Sequence, residues 1–132
     1  MATYENTSVT QEFLDNNPNA YYIFPDNLER SGCEIYSHLR EHFQAVGFVT
    51  KKFPDSDSGS FYKPEEYSAV FFEELLKLKR NIEANPEKTY YIACMKGPSI
   101  NKYNIWEKLI HHNIVNKLQK FDNVVFCWDD KF

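Results

Sequence analysis

The stretch TYYIACMKGPSINKYN, from Thr89 to Asn104, changes abruptly from apolar to polar. Its first seven residues form a nearly continuous apolar run, which is typical of a strand that is covered on both faces of its sheet. Gly97 and Pro98 then mark a turn. Asn104 can cap a helix that starts just after it. The stretch therefore predicts a buried strand, a polar loop and a helix, which is the order found in α/β proteins.

The same alternation extends over the rest of the chain. Short apolar runs predict four strands, at residues 20–24, 46–51, 89–95 and 123–128. Apolar residues at helical spacing predict three helices, at residues 34–45, 64–84 and 105–121. Helices of this length serve as crossovers between parallel strands. We therefore predict a Rossmann-like α/β domain with a mostly parallel sheet of four or slightly more strands and helices on both faces.

Two of the helices carry specific expectations about burial. The first has Ile35, Leu39 and Phe43 at positions i, i+4 and i+8, so these side chains are expected on one buried face. The second is expected to begin at Pro64, because proline is favoured in the first helical position. Its stripe places Phe71 on the face toward the sheet, and the same holds for Leu75 one turn later.

The length of 132 residues fits one domain with one core. Residues 1–19 are rich in Asn, Thr, Glu and Gln and are predicted to be a polar lead-in with one helical turn near Gln11 to Leu14. Residues 20–132 then make up a single α/β domain.

Charge and cysteine content limit the partners and the compartment. The net charge of −4 argues against an extended nucleic-acid surface, although a few local donors can still hold a small anion. The number of cysteines is odd, no C-x-x-C pair occurs, and Cys94 and Cys127 lie in apolar runs. These features predict buried, reduced thiols and a cytoplasmic protein. No apolar run is long enough to cross a bilayer, so we expect no membrane partner.

Polar loops follow the predicted strands, and in an open parallel sheet ligands bind beyond the carboxyl ends of the strands. Three of these loops, 25–33, 52–63 and 96–104, contain Gly and Ser with a basic residue nearby. Such loops can offer backbone N–H groups to an anion. The predicted ligand-binding residues are Asp26, Asn27, Arg30, Ser31, Gly32, Lys96, Gly97, Ser99, Asn101 and Lys102.

Asp26 differs from the other predicted site residues because it is an anion. Its carboxylate would repel a phosphate, so we expect it either to hold a ribose hydroxyl or to brace the loop. The turn signal Pro25-Asp26-Asn27 places it directly after the first strand.

Other motifs favour neither catalysis nor a cofactor. There is no Walker sequence and no G-x-G-x-x-G, so neither an ordinary NTPase nor an NAD dehydrogenase is expected. The run HLREH, from His38 to His42, matches the inverted zinc-protease pattern, but a third ligand is missing and we expect no metal. Cys33 at a helix start has no base fixed beside it, so we assign no catalytic residue. His111 and His112 point about 100° apart on a helix, so one should flank the core and the other face solvent.

Three segments resemble a compact phage-borne α/β family that is macrodomain-like in outline. They are IFPDNLERSG (Ile23–Gly32), NPEKTYYIACMKGPSINKY (Asn85–Tyr103) and NVVFCW (Asn123–Trp128). The first segment has matching residues at Asp26, Asn27, Arg30 and Gly32. Two departures are Pro25, where the family has glycine, and the Gly-rich loop, which keeps only Gly97. The resemblance implies a ligand of the ADP-ribose or signalling-nucleotide class, and it implies binding more than catalysis.

The sequence therefore predicts a protein that binds a small anionic nucleotide-like ligand. If the phage likeness holds, it would sequester a nucleotide signal of a defence pathway in the host cytoplasm, with a host protein as a further partner. The alternative is a protein–protein interaction module with an aromatic surface, which would also suit a homo-oligomer. A nucleotide or ADP-ribosyl hydrolase is the third hypothesis.

Overall fold

The computed structural model describes residues 1–27, 29, 39–52, 64–94 and 105–128. Within these residues the chain forms five strands and three helices. In chain order they are β1 (Thr3–Asn6), α1 (Gln11–Asn16), β2 (Ala20–Asn27), β3 (Ala45–Lys51), α2 (Pro64–Ala84), β4 (Thr89–Ala93), α3 (Ile105–Leu118) and β5 (Val124–Trp128).

The five strands form one sheet in the order β1-β5-β4-β2-β3, and all neighbouring strands are parallel. The predicted class, an α/β domain with a parallel sheet, is confirmed. The sheet has one strand more than the four that the apolar runs indicated, because β1 was not recognised from the sequence.

Successive apolar side chains of β2 point to opposite faces of the sheet, and each face is covered by helices or by the turn at residues 39–44. Ile23 packs in a cluster with residues of α2 and α3, such as Leu78. Tyr22 and Phe24 pack in a second cluster on the opposite face, with Leu14 of α1. We call the first face the α2 face and the second the α1 face. Both faces are therefore buried, as expected for strands that read as continuous apolar runs.

The long helix α2 has the start and the buried stripe that the sequence predicted. It begins at Pro64, and both Phe71 and Leu75 are buried. The Phe71 ring lies 6.3 Å from the ring of Phe48 on β3, so the predicted face does contact the sheet. The helix ends where the Asn85 side chain donates to the Asn81 carbonyl at 2.8 Å, which satisfies one of the last helical acceptors.

The helix predicted at residues 34–45 does not extend to its expected end. Residues 39–44 form turns, and Ala45 is already the first residue of β3. The His42 N–H donates to the Leu39 carbonyl and the Ala45 N–H to the His42 carbonyl, both at i to i+3 spacing. Residues 34–38 lie outside the described part of the chain.

Pairing with β2 explains why the turn replaces the helix. The Gln44 carbonyl accepts from the Tyr22 N–H at 2.9 Å, and the Gln44 side chain donates to the Ala20 carbonyl at 2.7 Å. The first bond makes the Gln44 backbone part of the pairing with β2, so the chain is already extended where the predicted helix would have its last turn. Leu39 is buried as predicted, but Phe43 is 81% exposed, so the expectation that Phe43 faces the core was wrong.

Residues 1–19, predicted to be a loose lead-in, contribute an element of the sheet. β1 pairs in parallel with β5, with Tyr4 opposite Phe126, and the two rings lie 5.3 Å apart. The helical turn near Gln11 is confirmed as α1, which the Thr10 side chain caps by accepting from the Phe13 N–H. All four residues of β1 are exposed, and this is why its sequence is polar although its backbone is paired.

The turn signal Pro25-Asp26-Asn27 was also misread, because these residues are the last three of β2. Pairing between β2 and β4 ends at Ile23, while pairing with β3 continues to Asn27. Proline is tolerated in a strand where its missing N–H breaks no ladder bond. Pro25 therefore stands just beyond the stretch that is paired on both sides.

Candidate functional site

The carboxyl ends of β2 and β4 meet at a topological switch point. The two strands are parallel neighbours in the sheet. The described part of the connection from β2 to β3 packs on the α1 face through Leu39, and the described part of the connection from β4 to β5 packs on the α2 face through Ile110 of α3. Because these two connections lie on opposite faces of the sheet, a crevice is expected outside the carboxyl ends of β2 and β4, and ligands of open α/β sheets bind there.

The predicted ligand-binding residues divide into two groups. Asp26 and Asn27 are described, and they end β2 at the switch point. The remaining predicted residues lie outside the described part of the chain: Arg30, Ser31, Gly32, Lys96, Gly97, Ser99, Asn101 and Lys102. The strands that precede these residues in the sequence, β2 and β4, are parallel neighbours. Their carboxyl ends therefore lie side by side, as the site hypothesis requires.

A buried ion pair anchors the end of β2. The Arg40 Nη2 lies 2.8 Å from the Asp26 Oδ1, and the Arg40 Nε lies 3.3 Å from the Asp26 Oδ2. The side chains of Arg40 and Asp26 are 15% and 1% exposed. The Asn27 N–H also donates to the Asp26 Oδ1, at 2.9 Å. Two-point, charge-assisted contacts of this kind fix the geometry of both partners.

These contacts bear on the two roles that the sequence left open for Asp26. Its carboxylate is turned to Arg40 and to the Asn27 backbone, so the geometry favours bracing the strand end over contact with a ribose. Arg40 lies in the turn at residues 39–44, which leads into β3 and which we call the return segment. Its contact with Asp26 therefore joins the return segment to the end of β2. The sequence placed Arg40 in a helix and did not indicate this pairing.

A bulge shapes the adjoining end of β3. The register between the strands shifts after the pair of Asp26 with Val49, so that Asn27 faces Lys51. The Thr50 hydroxyl lies 3.4 Å from the Asp26 carbonyl, and Thr50 and Asn27 are fully buried. Bulges occur often near binding sites because they re-aim the side chains that follow.

The two described cysteines are buried beside each other's strands at this edge. Cys94, directly after β4, and Cys127, in β5, are both buried, as the sequence predicted. The Cys94 N–H donates to the Cys127 carbonyl at 2.7 Å, which fixes the exit of β4. Burial raises the pKa of the Cys127 thiol to about 12, so it stays protonated at neutral pH. Cys33 lies outside the described residues.

His42 of the HLREH run serves a structural role. Its Nδ1 accepts from the Gln44 N–H at 3.1 Å, so in the neutral ring the proton sits on Nε2. This Nε2–H points to the Asp15 carboxylate at 2.9 Å and thereby ties α1 to the turn at 39–44. With both ring nitrogens engaged, His42 has no lone pair to give to zinc without losing one of these bonds.

The region around this contact is an open concavity. A concavity of about 600 Å³ lies beside the turn and is lined by Gln11, Asp15, Arg40 and His42, among others. Among the described residues, no group of three or more His, Cys, Asp or Glu side chains is placed to hold a metal ion. His38 lies outside the described residues.

The neighbouring histidines of α3 occupy different environments, as predicted. His111 is buried, and burial lowers its pKa from 6.5 to about 4. His112 is exposed, and its Nε2 lies 3.3 Å from the Asn116 side chain. His111 is thus a neutral core residue at physiological pH.

A family model matches residues 4–98, from β1 through β4 and into the loop that follows. The chain belongs to this family, DUF7831, a family of unknown function. The matched region includes the carboxyl ends of β2 and β4, and therefore the switch point. No curated protein and no solved structure is significantly similar to the chain. No helix in the described ranges has the length and apolar character needed to span a membrane.

Proposed function

We propose that this DUF7831 protein binds a small anionic, nucleotide-like ligand in the crevice between the carboxyl ends of β2 and β4. The switch point is the observation that supports this, because the two Gly-containing segments that follow β2 and β4 in the sequence continue from neighbouring parallel strands. Arg30 follows the last residue of β2 by three positions, and Lys96 follows the last residue of β4 by three. Two cationic residues therefore follow neighbouring strands at equal offsets in the sequence.

The ion pair of Asp26 and Arg40 gives the crevice a rigid side. Its contacts hold the end of β2 against the return segment, so the loop after Asn27 starts from a defined position. A fixed starting point lowers the entropy that a loop loses when it closes on a ligand. In this proposal Arg30 and Lys96 contact the anion from two sides, and Asp26 stays in its bracing position.

A thermal-shift panel of mononucleotides, cyclic dinucleotides and ADP-ribose tests the proposal, because a ligand that binds only the native state raises the unfolding temperature by mass action. We expect one class of ligand to stabilise the protein. Arg30→Ala and Lys96→Ala should each weaken its binding by about 1–3 kcal/mol, the contribution of a charge-assisted hydrogen bond. Lys117→Ala, on the exposed side of α3, is the matched control and should leave binding unchanged.

Three results would contradict the proposal. Either no ligand of the panel stabilises the protein, or both substitutions leave every affinity intact, or the Lys117 control weakens binding as much as they do. Chromatography of the incubated ligand separates binding from hydrolysis. We expect the ligand to be recovered unchanged. If it is converted, the protein would be an enzyme that removes a nucleotide signal rather than a protein that sequesters it.

A second candidate function, a protein–protein interaction module, is favoured by a separate observation. β3 stands at one end of the strand order of the described sheet. Four large apolar side chains on or next to β3 and on α2 are exposed: Phe43, Val46, Phe72 and Leu76. Light scattering after size-exclusion chromatography tests this surface, since Phe72→Ser with Leu76→Ser should dissolve an oligomer that depends on it.

A further inference from the structure

A cleft at the opposite edge of the sheet is separate from the proposed nucleotide crevice. It lies between the second half of α2 and the amino ends of β2, β3 and β4, and its volume is about 340 Å³. Tyr21 lines the cleft at the start of β2, and Asp26 lies five positions further along the strand. At about 3.3 Å per residue, the two sites are roughly 16 Å apart.

One wall of the cleft holds an oriented ammonium group. Tyr21 and Tyr90 are paired across β2 and β4, and their rings stack with centroids 5.6 Å apart. The Lys88 Nζ lies 4.6 Å from the centroid of the Tyr21 ring. A hydrogen bond with the Tyr21 side chain is the main cause that raises the pKa of Lys88, so this group stays charged. Contact with an aromatic face holds an ammonium in place.

The same wall is braced from α2. The Tyr90 hydroxyl donates to the Asn81 carbonyl at 3.0 Å, and burial raises the pKa of this phenol, so it remains a donor at neutral pH. The tyrosine pair is thus fixed to the helix, and with it the position of Lys88. A ligand would find this wall already formed, which reduces the entropy lost on binding.

The opposite wall and the floor define what the cleft can hold. Glu74 and Lys77 of α2 contribute one carboxylate and one ammonium, while Leu78 and Phe48 contribute buried apolar surface. Lys77 pairs with Glu73 at 3.5 Å, but both side chains are more than half exposed, and such a pair exchanges readily. Together with Lys88, the charged lining groups sum to one positive charge. The volume is at the lower end of the range for small-molecule sites.

We propose that this amino-edge cleft binds a small organic monoanion, a carboxylate with an apolar body. The apolar body contacts Val46, the exposed apolar side chain of the lining, beside Leu78 and Phe48, and the carboxylate accepts from the ammonium group of Lys88. This assignment follows from the lining alone and does not depend on the nucleotide crevice.

Amide NMR spectra of the full chain, titrated with phenylacetate and with hexanoate, test the inference. Phenylacetamide is the matched neutral probe, and the two acids distinguish an aromatic body from an aliphatic one. We expect saturable shifts at the amides of Tyr21, Leu78 and Lys88 for at least one acid at probe concentrations up to about 20 mM. The neutral amide should bind at least about tenfold more weakly.

Two variants and one control locate the site. Lys88→Gln should weaken acid binding about tenfold. Glu74→Gln should strengthen it about two- to threefold, because a repelling carboxylate is removed. Lys120→Gln is the matched control, since the Lys120 ammonium lies 5.3 Å from the Phe121 ring in the same type of contact outside the cleft, and it should change nothing.

The inference is overturned if neither acid gives saturable shifts, if the shifts map to residues away from the cleft, or if phenylacetamide binds as well as the acids. It is also overturned if Lys88→Gln and Lys120→Gln have equal effects. Should Lys88→Gln fail to fold, Glu74→Gln decides, because weaker or unchanged acid binding in that variant contradicts a monoanion site.

Discussion

Acid should destabilise this protein through His111, which is a buried neutral residue of α3. Burial lowers its pKa in the folded protein to about 4, from 6.5. Between these values the unfolded chain binds a proton that the folded chain rejects, so the free energy of unfolding falls as pH falls. A shift of one pKa unit corresponds to about 1.36 kcal/mol, which makes the full effect about 3 kcal/mol.

Most of this loss occurs within an accessible range of pH. Above about pH 7 the ring is neutral in both states and contributes no pH dependence. At pH 5 the unfolded histidine is almost fully protonated while the folded one is still mostly neutral, and the linkage relation then gives a loss of about 2 kcal/mol. Ordinary carboxylates remain largely ionised at this pH, so histidines account for most of the change.

Urea denaturation at pH 7.5 and pH 5.0 measures the effect, with His111→Leu as the test variant. Leucine cannot titrate, so the variant should lose about 2 kcal/mol less than the wild type between the two pH values. His112→Gln is the matched control, because this neighbour is exposed, and it should behave like the wild type. The other histidines are present in every variant and cancel. If His111→Leu and the wild type lose the same free energy, the assignment of His111 as a buried neutral residue is wrong.

Three further predictions concern the core, the ion pair and metal. Phe71→Ala should lower the free energy of unfolding by about 2–5 kcal/mol in urea denaturation. Leu76→Ala, on the exposed side of α2, should lower it by less than about 1 kcal/mol. Equal losses would mean that the buried face is misassigned. Asp26→Asn should cost about 3–5 kcal/mol because it removes the carboxylate of a largely buried ion pair. A double-mutant cycle with Arg40→Leu should show coupling, whereas additive losses would refute the pair. Elemental analysis of untagged protein should find no stoichiometric zinc. A stoichiometric metal that disappears when His38 and His42 are both changed to alanine would contradict the role of His42 described above.

Errors in reading the sequence occurred where backbone pairing opposed the side-chain pattern. The spacing of Leu39 and Phe43 fits a helix, but the hydrogen bonds of Gln44 with β2 end the turn and leave Phe43 exposed. Likewise, β1 is polar because its side chains are exposed, so no apolar run marked it as a strand. Local patterns report on burial, and they fail where an edge strand or a short return segment is stabilised through its backbone.

The ion pair at the candidate site could not be predicted for a related reason. Asp26 and Arg40 are fourteen positions apart, and the sequence placed them in a turn and a helix. Their contact exists only because the return segment runs along the α1 face beside the end of β2. Of the residues predicted to bind the ligand, Asp26 and Asn27 were placed in a turn after the strand, whereas they are the last two residues of β2.

The sequence by itself determined the class of fold and the edge at which a ligand is expected. Continuous apolar runs separated by helical stripes require a parallel sheet covered on both faces, because the exposed alternative would leave those runs in water. The tertiary structure alone decided the strand order, and with it the switch point between β2 and β4, since the order depends on contacts between segments distant in the chain. It also decided the partner of Asp26, because only the folded chain brings Arg40 within hydrogen-bonding distance.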